Sequence, residues 1–243
     1  MITRRTTLAG LALLSLSPAA RSEPGHDVVT RHAADASGKR PAVILLHGSR
    51  GIELRRRAYE RYADALLAKG IDAYLLRYMT ETDMAMLHSK TSTKESREAY
   101  DATRFDGWSD TVSATVTSIL GRPDSSGRVG LLGFSLGGFI AANTAARDER
   151  IAALAVLYGG MPDAMAGKLK HLPPMIELHG EADQNVSIAS GKKLIELAKS
   201  VGAEAEFVPY PGKPHGFDFS DTDPMTADAI DRVSQFFQAR LAS

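Results

Sequence analysis

The sequence predicts an α/β fold in which a mostly parallel sheet is covered by helices on both faces. Three observations carry this reading. Short, continuous apolar runs alternate with segments of helical period along most of the chain. The apolar runs are bounded by Gly or Pro, the pattern of strands buried on both sides. The 243 residues, 44% of them hydrophobic, suffice for one sizeable core, and no repeat or linker divides them.

The elements follow in order. Asp27 to His32 can add an edge strand. Ala42 to Leu46 (AVILL), between Pro41 and His47-Gly48, is the first buried strand. Tyr59, Tyr62, Ala63, Leu66 and Leu67 fall at i, i+3, i+4, i+7 and i+8, one face of a helix that Gly70 is placed to end. Ile71 to Leu76 is the next strand. Residues 79–105 are polar and break the rhythm. Trp108, Val112, Val116, Ile119 and Leu120 restore a helical face, with Asp106 as its expected cap. Gly127 to Gly133 is a strand and Leu136 to Arg147 a helix. Ala152 to Tyr158 and Met175 to Leu178 are strands, and Leu194, Leu197, Ala198 and Val201 mark a helix. Glu204 to Pro209 is the last strand, and Pro224 opens a closing helix containing Ile230, Val233 and Phe237.

Composition narrows the function. Lys plus Arg and Asp plus Glu number 29 each, so the chain lacks the basic excess of a general nucleic-acid binder. Without cysteine there is no disulfide, thiolate metal site or cysteine nucleophile. Residues 1–22 (MITRRTTLAGLALLSLSPAARS) have the layout of an export signal: Arg4 and Arg5, an apolar stretch from Leu8 to Leu16, and Ala20-Arg21-Ser22 as a cleavage site. The paired arginines make it twin-arginine-like. The apolar stretch is too short to serve as a membrane anchor. Removing the segment takes three arginines and no acid, which leaves 26 basic against 29 acidic residues and a net charge of −3. The expected product is a single domain over residues 23–243, exported to a bacterial periplasm as a monomer or homodimer.

The strongest chemical signal is Gly133-Phe134-Ser135-Leu136-Gly137-Gly138, between a strand and a helix. Glycines in so tight a turn let the backbone pass while Ser135 is lifted to the surface, and the helix N-terminus offers free amides to an oxygen that becomes negative. A serine hydroxyl needs a base, and the base an orienting carboxylate. Of the seven histidines, only His215 (YPGKPHGF) combines a late position with a Gly/Pro-rich loop after a strand. Glu181 and Asp183 in His179-Gly180-Glu181-Ala182-Asp183 are the rival acids, and His179 is read as a support of that loop. His88 and His171 read as surface residues. For an oxyanion, the amide of Leu136 is the first donor. The second comes from His47-Gly48-Ser49-Arg50-Gly51: Ser49, with Gly48 and Arg50 as alternatives. No spacing of histidines and acids suggests a metal, and no cofactor is expected.

LLHGSRGIE, GLLGFSLGGF, and HGEADQNV followed by YPGKPHGF together resemble the dienelactone hydrolase family of α/β-hydrolases, from about Pro41 to the C-terminus. The resemblance implies the α/β-hydrolase fold and a triad of Ser135, Asp183 and His215, with Asp183 favoured over Glu181 by the H-G-x-x-D pattern. It also implies hydrolysis of a small ester or lactone. Two positions depart from the better-known members, which carry cysteine where Ser135 stands and glutamate where Gly48 stands. The two changes agree with each other: a serine activated directly by His215 has no use for a thiol-switching glutamate. They favour a general carboxylic ester over dienelactone itself. A small peptidase, an acyltransferase and a non-catalytic binding module are the competing readings. Residues 79–108 are expected to form a lid or pocket wall bearing Met84, Met86, Leu87 and Trp108. Arg50, Arg77, Tyr78 and Trp108 are the expected substrate contacts, the arginines suited to an acidic group.

Overall fold

The computed structural model describes residues 28–33 and 38–242; the expected signal at 1–22 lies outside them. Seven strands form one sheet: β1 (Val28–His32), β2 (Arg40–Leu46), β3 (Asp72–Leu76), β4 (Ser125–Phe134), β5 (Ile151–Leu157), β6 (Met175–Gly180) and β7 (Ala205–Tyr210). Their spatial order is β1-β3-β2-β4-β5-β6-β7. Only the pairing of the edge strand β1 with β3 is antiparallel. Every other neighbour is parallel, so the C-terminal ends of β2 to β7 open on one edge.

The period of two along each strand divides the core. Ala42, Ile44 and Leu46 face one layer with Trp108, Val112, Ile140, Ala141 and Leu194. Val43 and Leu45 face the other, with Tyr59, Tyr62, Leu66, Val233 and Phe237. The first layer is built by α3 (Lys94–Leu120), α4 (Leu136–Arg147) and α6 (Ile188–Ser200), the second by α1 (Arg56–Ala68) and α7 (Pro224–Leu241). Two short helices, α2 (Glu81–Leu87) and α5 (Asp163–Ala166), complete the set.

Residues 79–105 differ from expectation. Most of them are helical, and the helix expected to start at Asp106 starts at Lys94 and runs for 27 residues. Thr93 caps it in a reciprocal box with Ser96, and Thr80 caps α2 in the same way with Asp83. Asp106 lies mid-helix, paired with Arg147. The face that fixes this extra length is marked by hydrogen-bond donors rather than apolar residues. Tyr100, Arg104 and Trp108, at i, i+4 and i+8, all donate to the carboxylate of Asp83 on α2, at 2.7, 2.8 and 3.0 Å. Asp83 is 1% exposed. Burial pushes its carboxyl up, but the bonds from Trp108, Thr80, Arg104 and Tyr100 outweigh that and hold it well below the usual carboxylate range. Cutting a buried charge off from such partners costs about 3–5 kcal/mol, so α2 is fastened to α3 through this one group.

At the centre, β4 turns into α4 and brings the helix against the end of β2. A Cβ on Gly137 would overlap the Leu46 carbonyl and lie 2.5 Å from that of His47. Both obstacles are backbone and cannot rotate away. We expect Gly137→Ala to destabilise by about 3 kcal/mol or more, the upper range of overpacking. Urea unfolding measures it; a change within about 0.5 kcal/mol, typical of surface substitutions, would contradict this account.

Candidate active site

Ser135 occupies the turn between β4 and α4 at φ 54, ψ −120, a left-handed conformation that a serine adopts only under constraint. Its N–H is tied to Leu157 O at 3.0 Å. Its Oγ lies 3.0 Å from His215 Nε2. His215 Nδ1 lies 2.7 Å from Asp183 Oδ2. A carboxylate only accepts, so Nδ1 carries the proton and Nε2 is left to accept the serine O–H.

The acid is fixed independently. Asp183 Oδ1 accepts the N–H groups of Asn185 and Val186 at 2.8 and 2.9 Å. Behind it His179 is fully buried, with Nδ1 2.8 Å from Glu177 Oε1 and Nε2 3.0 Å from Val186 O. Burial pushes the Glu177 carboxyl up; burial pushes the His179 imidazole down, but Glu177, the Val186 carbonyl and Asp183 together outweigh it and raise it. His179 therefore supports the acid loop, as the sequence suggested. The acid loop and the histidine loop are joined by Glu181 N–H to Tyr210 O and Ala182 N–H to Lys213 O, each 3.0 Å.

The loop after β2 borders the serine: a Cβ on Gly48 would lie 3.5 Å from that of Ser135. Its first three carbonyls are claimed. Tyr78 OH donates to His47 O at 2.7 Å. Gly48 O accepts from His47 Nδ1 at 2.8 Å and from Gly51 N–H at 3.0 Å. Ser49 O accepts from His88 Nε2 at 2.9 Å. Gly48 N–H donates to Tyr59 OH at 3.1 Å, which removes Gly48 from the candidate donors. In a trans peptide the N–H points away from the preceding carbonyl. Pinning Gly48 O and Ser49 O therefore directs the N–H groups of Ser49 and Arg50 to the opposite side. Leu136 is the first residue of α4, where no intrahelical acceptor exists for its N–H.

Two expected substrate contacts prove to be structural. Trp108 is 1% exposed, with its indole N–H given to Asp83. Tyr78 is 3% exposed, stacked on His47 at 4.3 Å, with its hydroxyl given to His47 O. Tyr78 lies against the loop and Trp108 packs edge-on behind Tyr78 at 5.8 Å, an arrangement that buries both large rings with their polar atoms satisfied. Arg77 is exposed and paired with Glu53 at 3.2 Å. Arg50 is exposed beside Ser49. Of the expected lid, Leu87 is buried and Met84 packs by Gly51, whereas Met86 is exposed. His88, read from sequence as a surface residue, holds Ser49, and Tyr59, read only as a helix face, holds Gly48. Periodicity reports that such residues are apolar-facing or solvent-facing; it does not report which carbonyl a hydroxyl or ring nitrogen meets.

The dienelactone hydrolase family model matches residues 28–241. The chain belongs to that family. A protein of Methylorubrum extorquens, whose name proposes it as a carboxymethylenebutenolidase, is 31% identical over 108 residues. That match spans 40% of this chain and 36% of the relative, little more than a third of its length. A dienelactone hydrolase from Anabaena variabilis superposes with a TM-score of 0.67 at 22% identity, over 87% of this chain and 90% of that one. Est1E from Butyrivibrio proteoclasticus gives 0.64 at 16% identity, over 87% and 92%. An esterase from Pyrococcus furiosus gives 0.64 at 18%, over 84% and 85%. At these identities the superpositions show a common fold.

His47 links the site to pH. Burial pushes its imidazole down from 6.5 to about 4, outweighing the bond to Gly48 O. The folded value lies below the unfolded one, so stability is complete above about pH 6.5 and is lost as pH falls toward about 4, where the unfolded chain binds the proton first. We expect His47 to account for a loss of about 2 kcal/mol between about pH 7.5 and pH 5. Urea titrations of the protein and of His47→Gln at both pH values check this, since the variant lacks that increment; equal losses in both would refute it.

Proposed function

We propose that this protein is a serine hydrolase that cleaves a small carboxylic ester or lactone through an acyl-enzyme on Ser135. The continuous chain Ser135 Oγ, His215, Asp183, with hydrogen bonds of 3.0 and 2.7 Å, is the observation that supports the reading most. His215 takes the serine proton as Oγ attacks the ester carbonyl, and Asp183 stabilises the imidazolium that forms. The carbonyl oxygen gains its charge beside the amides of Leu136 and Ser49, whose orientation is fixed before substrate arrives; such preorganised donors need no rearrangement during the reaction. His215 then protonates the leaving alcohol and activates the water that releases the acid. Family membership supports ester-bond cleavage as the reaction. The absence of cysteine from the whole chain supports serine as the nucleophile. Arg50, exposed at the rim, is proposed to favour substrates with an acidic group. The arginine-led apolar N-terminus supports an exported enzyme.

Ser135→Ala is expected to abolish hydrolysis of p-nitrophenyl acetate and butyrate and labelling by a fluorophosphonate probe. Asp183→Asn is expected to lower kcat by a factor on the order of 10⁴, by misorienting the histidine. Initial-rate kinetics test both; undiminished turnover in either variant would refute the assignment. For Arg50→Ala, kcat/KM is expected to fall for a carboxylated ester and hold for its neutral analogue; equal effects on the two would count against an acidic substrate.

A further inference from the structure

We propose that Tyr158 is a positioning residue for His215, and that the buried carboxylate of Asp218 acts through it by orienting the tyrosine ring. The proposal rests on the reading of His215 as the general base.

The two hydrogen bonds of His215 leave from opposite ends of the imidazole, through Nδ1 and Nε2. They define an axis, about which the ring can still rock. Tyr158 meets the ring from the side: the centroids lie 4.5 Å apart with the planes at 60°. Tyr158 is fully buried and has φ 43, left-handed backbone in a bulky residue. Such a conformation persists only where its surroundings over-determine it. Here Tyr158 N–H donates to Leu178 O at 2.8 Å, and the hydroxyl donates to Asp218 Oδ1, also at 2.8 Å.

Asp218 has no part in the hydrolytic steps above, yet it is fully buried. Its second oxygen accepts from Tyr62 OH on α1 at 2.9 Å. Arg61 donates to its backbone carbonyl at 3.0 Å. It stands three residues after His215, past Gly216, whose φ of 69 makes the turn. Phe217 and Phe219 of the same loop meet Tyr158 edge-on at 6.2 and 6.3 Å. One side chain thus contacts the histidine and the three residues that anchor its loop, while the carboxylate ties that side chain to α1. A tyrosine needed only to fill the core would require neither the strained backbone nor a buried carboxyl to hold its hydroxyl.

The experiment is kinetics on Tyr158→Leu, Tyr158→Phe, Asp218→Asn and the Phe/Asn double variant, with rates normalised to sites titrated by a fluorophosphonate. We expect Tyr158→Leu to lower kcat about tenfold or more, with KM within about twofold, since small misplacements of a catalytic group act on kcat. Tyr158→Phe keeps the ring but frees it from Asp218, and its kcat is expected to fall by about threefold. Asp218→Asn should match it, and the double variant should be no worse than either single, because both remove one interaction. Additive losses in the double variant, an unchanged kcat in Tyr158→Leu, or a rise in KM alone would overturn the proposal. The proton NMR resonance of His215 Nδ1–H, sharp in the wild type and broadened in Tyr158→Leu, reads positioning without turnover. A wild type inert to every ester would sink the hydrolase reading, and the resonance would still decide this one.

Discussion

The structure depends on one close approach of backbone to backbone. The first turn of α4 lies against the end of β2 because Gly137 has no side chain to hold it off. That contact seats Ser135 at the tip of the central strand and sets the first turn of the helix beside the loop that follows β2. Move the helix outward by the width of a methyl group and Ser135 is drawn away from the loop after β2, which it borders at Gly48. The left-handed backbone of Ser135 is the local cost of this arrangement, and the buried strands on either side sustain it.

Around that point the molecule controls its donors by occupying their neighbours. In the loop after β2 the N–H groups of Ser49 and Arg50 are turned to one side because the carbonyls of residues 47–49 are claimed from three directions: by Tyr78 after β3, by His88 after α2, and by His47 from within the loop. The acid is held in the same way, through amides at one carboxylate oxygen and the histidine at the other. Polar groups that are fully paired are rigid, and on the proposed mechanism that rigidity is what aims the serine. The region that departs most from a plain strand–helix alternation, residues 79–108, serves the same end. Asp83 clamps α2 to α3, and α2 delivers His88 to Ser49.

The fold was legible wherever burial wrote a period. The helix at Leu136–Arg147 was read to the residue, and the strands to within one or two residues at their ends, with β2, β4 and β6 each running two residues further at one end. It was not legible in α3, where Tyr100, Arg104 and Trp108 face a carboxylate. A scan for apolar spacing passes over a stripe made of donors. Trp108 and Tyr78 were misplaced for a related reason. A large ring near a strand's C-terminal end can face substrate or the core, and only the partner of its polar atom distinguishes the two.

By itself the sequence determined the class of fold, the serine-bearing turn, the order of serine, acid and histidine, and the absence of any thiol. These are properties of single residues and their spacing, and spacing is one-dimensional. Only the tertiary structure decided which amide was already spent on Tyr59, which ring lay against the loop, and that Tyr158 stands against His215. Each of these is a contact between residues far apart in the chain. A hydrogen bond or ring contact is decided within a few tenths of an ångström by the packing of the whole, and the chain's order carries no record of that distance.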